Sequence, residues 1–155
     1  CMTLIDNPEI HPQLLRYEVT GRYLGPYRIA AYLHQSMEEY DQAIGVLQRF
    51  VEVCMSFENM YAQQQGYQNQ LQTIQQNRYD AQVNIEEFKI LKIKKEQGLQ
   101  AALDTAEKIY RQYLNSEDPL KRRFSELIRR RMVELQAEAP ADTIADVDEL
   151  PGQTQ

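Results

Sequence analysis

The sequence predicts an all-α fold: an elongated helical hairpin or three-helix, coiled-coil-like bundle, with short terminal helices and a disordered acidic tail. Three observations carry that prediction. No proline interrupts the 92 residues between Pro26 and Pro119, and a proline inside a helix removes a donor and clashes with the preceding turn. Apolar residues recur through that stretch at alternating spacings of three and four, the period of a helix face packed on another helix. Glutamine supplies 19 of the 155 residues, and it is a good helix former with a side chain that stays solvated.

The first segment, residues 1–26, holds a short helix over 10–24 with Leu14, Leu15, Tyr17 and Leu24 as its apolar members. Leu24-Gly25-Pro26-Tyr27 then reads as a turn. The second segment, 27–114, is a long helical, coiled-coil-like region. Ala30, Leu33, Met37, Tyr40, Ile44, Leu47, Val51 and Cys54 follow spacings of three and four without a break, which is the a/d register of a helix-pairing seam. Leu33, Met37, Tyr40, Ile44, Leu47 and Val51 are therefore the candidate association residues. One helix from Tyr27 to Gln65 would be roughly 55–60 Å long and could not bury its seam alone. Its partner is either the 67–114 segment or another copy of the chain.

Nine glutamines surround Gly66 between Ala62 and Gln82, a stretch that serves equally as a bend or as the polar continuation of a rod. Tyr67, Leu71, Ile74, Ala81, Ile85 and Phe88 continue a thinner heptad, with Arg78 at a seam position. Residues 83–93 also fit a period of two, but helical signal on both sides and the lack of turn residues favour helix. After Gly98, a kink or second turn, the seam returns in Leu99, Leu103, Ala106, Tyr110 and Tyr113. The third segment, 115–137, is an Arg-rich terminal helix. Ser116 is placed to cap it and Pro119 to begin it, and Leu120, Phe124, Leu127, Ile128, Met132 and Leu135 form its buried stripe. The last segment, 138–155, carries five acids and no base, and is expected to be disordered.

The net charge of -6 is thus mostly a tail of -5 beside a terminal helix of +2. An acidic balance disfavours a general nucleic-acid coat. Two cysteines are too few for a disulfide framework, and no apolar run approaches a membrane span, so a cytoplasmic location is expected. The opening Cys1-Met2 reads as an extra residue before a native Met start, with a lipidated mature N-terminus as the alternative.

The pattern of reactive side chains points away from an enzyme. His11 and His34 fall in different elements, and no glycine-rich phosphate loop exists. Cys54 sits on the apolar seam, where a thiol behaves as a small hydrophobe. His34 and Glu38 share a helix face, yet two ligands without a third make a solvated pair rather than a metal site. No cofactor is expected. Near the start, Arg16-Tyr17, Arg22-Tyr23 and Tyr27-Arg28 interleave aromatic and basic groups, but Asp6, Glu9 and Glu18 offset the charge, which favours packing over base stacking.

The basic cluster reads first as a solvated helix face, with contact to phosphate or anionic lipid, or to an acidic protein surface, as the alternatives. Lys121, Arg122, Arg123, Arg129, Arg130 and Arg131 place six cations within eleven residues. Glu126 and Glu134 stand at i,i+4 spacing from Arg130 and can pair with it. Arg131 falls inside the apolar stripe, where it must snorkel, pair with an acid or face a partner. The acidic tail follows directly and could fold back over the cluster.

Two short stretches resemble parts of a tetratricopeptide repeat. Tyr40-Asp41-Gln42-Ala43-Ile44 is similar to the junction between its helices. Gly98, Ala102-Leu103, Glu107-Lys108 and Asp118-Pro119 are similar to its second helix and exit. They do not stand one repeat of about 34 residues apart, so no array is assigned. Taken together, the sequence points to a non-catalytic helical assembly or adaptor (scaffold) protein. It would form a homo-oligomer and bind a protein partner. The alternative is a nucleic-acid accessory factor acting through the Arg-rich helix.

Overall fold

A computed structural model of the chain describes residues 11–21 and 24–139. Cys1, Arg22, Tyr23 and the tail from 140 onward lie outside the described residues, and with them the expected tail disorder and the two readings of Cys1. The described residues form six helices and no strand: α1 His11–Thr20, α2 Pro26–Ser36, α3 Tyr40–Ala62, α4 Gln68–Gln97, α5 Leu99–Leu114 and α6 Pro119–Ala137. The protein is all-α.

The 27–65 stretch expected as one helix is two. Helix α2 ends in a Schellman turn, in which the Glu38 N–H donates to the Gln35 carbonyl (2.9 Å) and the Glu39 N–H to the His34 carbonyl (2.8 Å). Glu38 occupies the left-handed position of that turn at φ 57°, a place usually held by glycine. With no glycine or proline to announce it, the break is silent in the apolar spacing. The Gln-rich segment, left open by the sequence, contains a bend at residues 63–67, with Gly66 at φ 91°. Gly98 turns the chain between α4 and α5 at φ 92°, ψ 178°, a combination reserved for glycine. At α6 the cap is Asp118, whose carboxylate accepts from the Leu120 N–H (2.9 Å), while Ser116 supports it by accepting from the Asp118 N–H (3.2 Å).

Helix α4 is the spine. Its 30 residues span about 45 Å and serve two cores. Ile74, Ala81, Ile85 and Phe88 join Val19, Tyr27, Leu47, Phe50 and Cys54 in a core built from α1 to α4. Tyr79, Val83 and Ile90 join Ala102, Ile109, Phe124 and Ile128 in a second core with α5 and α6. A helix buried on two sides shows apolar residues off a single stripe. The strand-like alternation of Val83, Ile85, Phe88 and Ile90 is a helix read from both faces at once.

The predicted seam is rotated in α3. Its buried face runs Ala43, Val46, Leu47, Phe50, Cys54 and Tyr61, so Leu47 and Cys54 belong to it, while Tyr40, Ile44 and Val51 are half-buried flanks. Phe50 is fully enclosed between Tyr27, whose ring centroid lies 5.9 Å away, and the Arg28 guanidinium at 5.4 Å.

A buried polar latch ties α1 to α2 and α4. The Glu18 carboxylate accepts from the backbone N–H groups of Tyr27 (3.0 Å) and Arg28 (2.9 Å), capping the start of α2. Arg28 donates to the Asn77 side-chain oxygen (3.2 Å) and to the Glu18 carbonyl (3.2 Å). The Asn77 amide donates to the carbonyls of Val19 and Gly21, both at 2.9 Å. Burial pushes the Glu18 carboxyl up, while the two N–H donors and Arg28 pull it back. Gly25 is required because a Cβ there would lie 2.4 Å from Glu18 Cδ.

Candidate functional site

Helix α2 carries two exposed apolar stripes that nothing in the described fold covers. Ile29, Leu33 and Met37 repeat every four residues along its outer side. Leu33 and Met37, two of the candidate association residues, are 51% and 58% exposed, so they stand outside the cores that hold Leu47. The one Lys or Arg of α2, Arg28, is buried away from this stripe, and His34 is taken up by Glu39.

The second stripe, Tyr32 on the helix and Leu24 in the turn before it, borders a groove of about 460 Å³ between α2 and α6. Val83 and Asn84 of α4 form part of its floor, and the Asn84 amide donates to the Tyr32 hydroxyl at 3.0 Å. Leu127 of α6 faces Tyr32 across the opening and is 37% exposed. Arg130, Arg131 and Glu134 complete the α6 wall.

The two arginines have different roles. Arg131 resolves its awkward place in the apolar stripe by pairing with Glu134 (2.7 Å) and with Glu87 of α4 (3.7 Å). Burial raises the Glu87 carboxyl, Arg131 pulls it down again, and Glu134 adds to the rise. This pair fastens α6 to the spine. Arg130 receives neither acid expected for it, because Glu126 goes to Arg129 (3.8 Å) and Glu134 to Arg131. Arg122, Arg123 and Arg130 are exposed and make no ion pair among the described residues. Lys121 stands beside the Asp118 cap. The basic cluster is thus one structural arginine and an exposed face of cations, of which Arg123, Leu127 and Arg130 share one edge at helical spacing.

The remaining chemical candidates lie in structural surroundings. His34 Nδ1 is 2.6 Å from Glu39, while Glu38 pairs instead with Lys95 at 2.8 Å, so His34 and Glu38 do not converge. No group of three His, Cys, Asp or Glu side chains gathers among the described residues. The Cys54 thiol is fully enclosed, and burial, aided by the Glu58 charge, pushes it up to about 12. Arg78, placed on a seam by sequence, forms a bidentate pair with Glu58 and stacks over Tyr79 at 4.6 Å. Tyr79 in turn donates to Asp118 (3.1 Å), so this chain of contacts braces α3, α4 and the start of α6. Of the interleaved aromatic-basic residues, Tyr27 and Arg28 are buried and Tyr17 is exposed. Among the described residues no helix is long and apolar enough to cross a membrane.

No family model, curated protein or solved structure matches this chain. Of the stretches similar to a tetratricopeptide repeat, Tyr40–Ile44 opens α3, the second helix of the α2–α3 hairpin. Ala102-Leu103 and Glu107-Lys108 lie in α5, which is the first helix of the α5–α6 hairpin rather than the second. The groove itself was invisible in the sequence, because Tyr32, Asn84 and Leu127 are brought together only by the way α2 and α6 lie against the spine.

Proposed function

We propose that this is a non-catalytic helical assembly protein that pairs with a second copy of itself through the outer side of α2 and holds an acidic protein surface on α6. The observation that carries this reading is the Ile29, Leu33 and Met37 stripe, exposed on a helix whose opposite side is buried. An isologous contact sets the same surface against itself, so an uncharged apolar stripe meets no like-charge repulsion. The α6 face, rich in cations, would repel its own copy and suits an acidic partner instead.

Light scattering tests the pairing. The wild-type chain is expected to be oligomeric, and Leu33→Lys with Met37→Lys should give a monomer of unchanged helicity, since both side chains already face solvent. A wild-type chain that stays monomeric at high concentration would end this reading. Arg122, Arg123 and Arg130, which make no ion pair among the described residues, favour a second reading, contact with nucleic-acid phosphates. That reading requires salt-sensitive binding that Arg122→Ala, Arg129→Ala and Arg130→Ala weaken together, and it fails if nothing binds at low salt.

A further inference from the structure

We infer that the groove between α2 and α6 is a docking site for the C-terminal segment of the same chain, residues 140–155. The segment would be held by apolar contact with the groove and by its carboxylates on the α6 arginines. The groove presents two chemistries side by side: apolar surface from Leu24, Tyr32 and Leu127, and the exposed cation of Arg130 on its α6 side, with Arg123 one helical turn before Leu127 on the same helix. The segment presents the same two in complementary form. Asp142, Asp146, Asp148 and Glu149 alternate with Ile144, Val147 and Leu150, and no Lys or Arg follows Arg131.

Reach agrees with composition. Helix α6 ends at Ala137, beside the groove wall it forms. Glu138 and Ala139 still belong to the last turn of α6, their N–H groups donating to the Leu135 and Gln136 carbonyls, so the return starts after Ala139. From Ala139 back to Leu127 is twelve residues, about 18 Å. Eight extended residues, enough to bring Val147 level with Leu127, cover about 26 Å. The segment therefore returns along α6 with chain to spare, and so short a tether gives it an effective concentration in the millimolar range. The groove also fixes the orientation of the segment. Asp80, Glu87 and Glu134 also line the groove, so carboxylates of the segment are repelled beside them. Those carboxylates are accommodated on the α6 side, where Arg123 and Arg130 make no ion pair among the described residues, while Ile144, Val147 and Leu150 meet the apolar lining. Docking uses the Leu24–Tyr32 stripe and leaves Ile29, Leu33 and Met37 uncovered, so it does not depend on self-pairing.

The experiment uses the full chain with Cys1→Ser and a nitroxide attached at Thr143→Cys, the enclosed Cys54 being out of reach of the reagent. Amide signals of Tyr32, Leu127 and Arg130 are expected to lose most of their intensity in dilute protein and to recover in about 0.5 M salt, where the screening length is a few ångströms. Arg123→Glu with Arg130→Glu should also restore them, as should Ile144→Asp with Val147→Asp, which leaves every groove residue unchanged. Unaffected signals, or broadening spread evenly over α3 and α5, would overturn the proposal. So would broadening seen only when a nitroxide-bearing chain is mixed with an isotope-labelled chain lacking the nitroxide, because the occupant would then come from another molecule. Light scattering on the same samples reports self-pairing separately, so the two proposals fail independently.

Discussion

Two residues show how tightly this fold depends on single atoms. Gly25 is set by contact rather than by its dihedral angles, since an added Cβ would meet Glu18 Cδ, Cγ and Cβ at 2.4 to 2.6 Å. Glu18 cannot swing aside, because Tyr27 and Arg28 hold its carboxylate through their backbone N–H groups. Gly25→Ala should therefore cost about 1–3 kcal/mol, read as a lower urea midpoint, and an unchanged midpoint would refute the contact. Cys54 makes a pH-dependent contribution. Its folded pKa of about 12 lies above the ordinary value of 9.0, so the folded state keeps the proton that the unfolded chain releases. The stability it contributes is fully present below pH 9 and is lost as pH rises toward 12, at up to about 1.4 kcal/mol per unit. The drop in urea midpoint between pH 8 and pH 10.5 should be smaller in Cys54→Ala than in the wild type. An equal drop in both would assign the effect to other groups.

At the scale of elements, the turns decide what the helices can do. Gly98 and Gly45 make a controlled comparison, because an added Cβ meets nothing within 4 Å at either position. At Gly98 the backbone conformation alone excludes a side chain, so Gly98→Ala should cost about 1–3 kcal/mol. Gly45 lies inside α3, and Gly45→Ala should stabilise by about 0.5–1 kcal/mol. Thermal unfolding of the two variants should move in opposite directions, and movement in the same direction would contradict the geometry. Glu38 offers a related case, a residue with a Cβ holding a glycine position while its carboxylate reaches Lys95. Helix α4 shows why periodicity can mislead. Packed on both sides, it has no single polar face, and its sequence carries two overlapping stripes.

For the whole molecule, burial sorts residues that sequence spacing treats alike. Leu47 and Leu33 occupy equivalent seam positions in the heptad reading, yet Leu47 is 1% exposed and Leu33 is 51% exposed. Leu47→Lys should unfold the α1–α4 core, placing an unpaired ammonium beside Phe50 and Cys54, whereas Leu33→Lys should leave circular dichroism unchanged. Loss of helicity in both would mean that α2 is buried at Leu33. The buried Glu18–Arg28–Asn77 latch adds a reason for one arrangement over others. Removing one member would leave the others with fewer of their buried hydrogen bonds, a cost that favours this docking of α1.

What the sequence determined by itself was the helical class, the boundary at Pro119, the stripe of α6 except Leu127, which is 37% exposed, and that Arg131 must snorkel, pair with an acid or face a partner. These follow from local rules: proline placement, a 3.6-residue period, and the cost of a charge without a partner. The tertiary structure alone decided that the apparent long helix turns back at Glu38, that the buried face of α3 centres on Phe50, and which acids each arginine receives. It also made the groove, from side chains of α2, α4 and α6 that are far apart in the chain. The physical reason is that spacing records which residues share a helix face, while burial depends on what other helices place against that face. Leu33 and Leu47 satisfy the same spacing, and only the packing of α4 against α3 gives one a core and leaves the other to solvent.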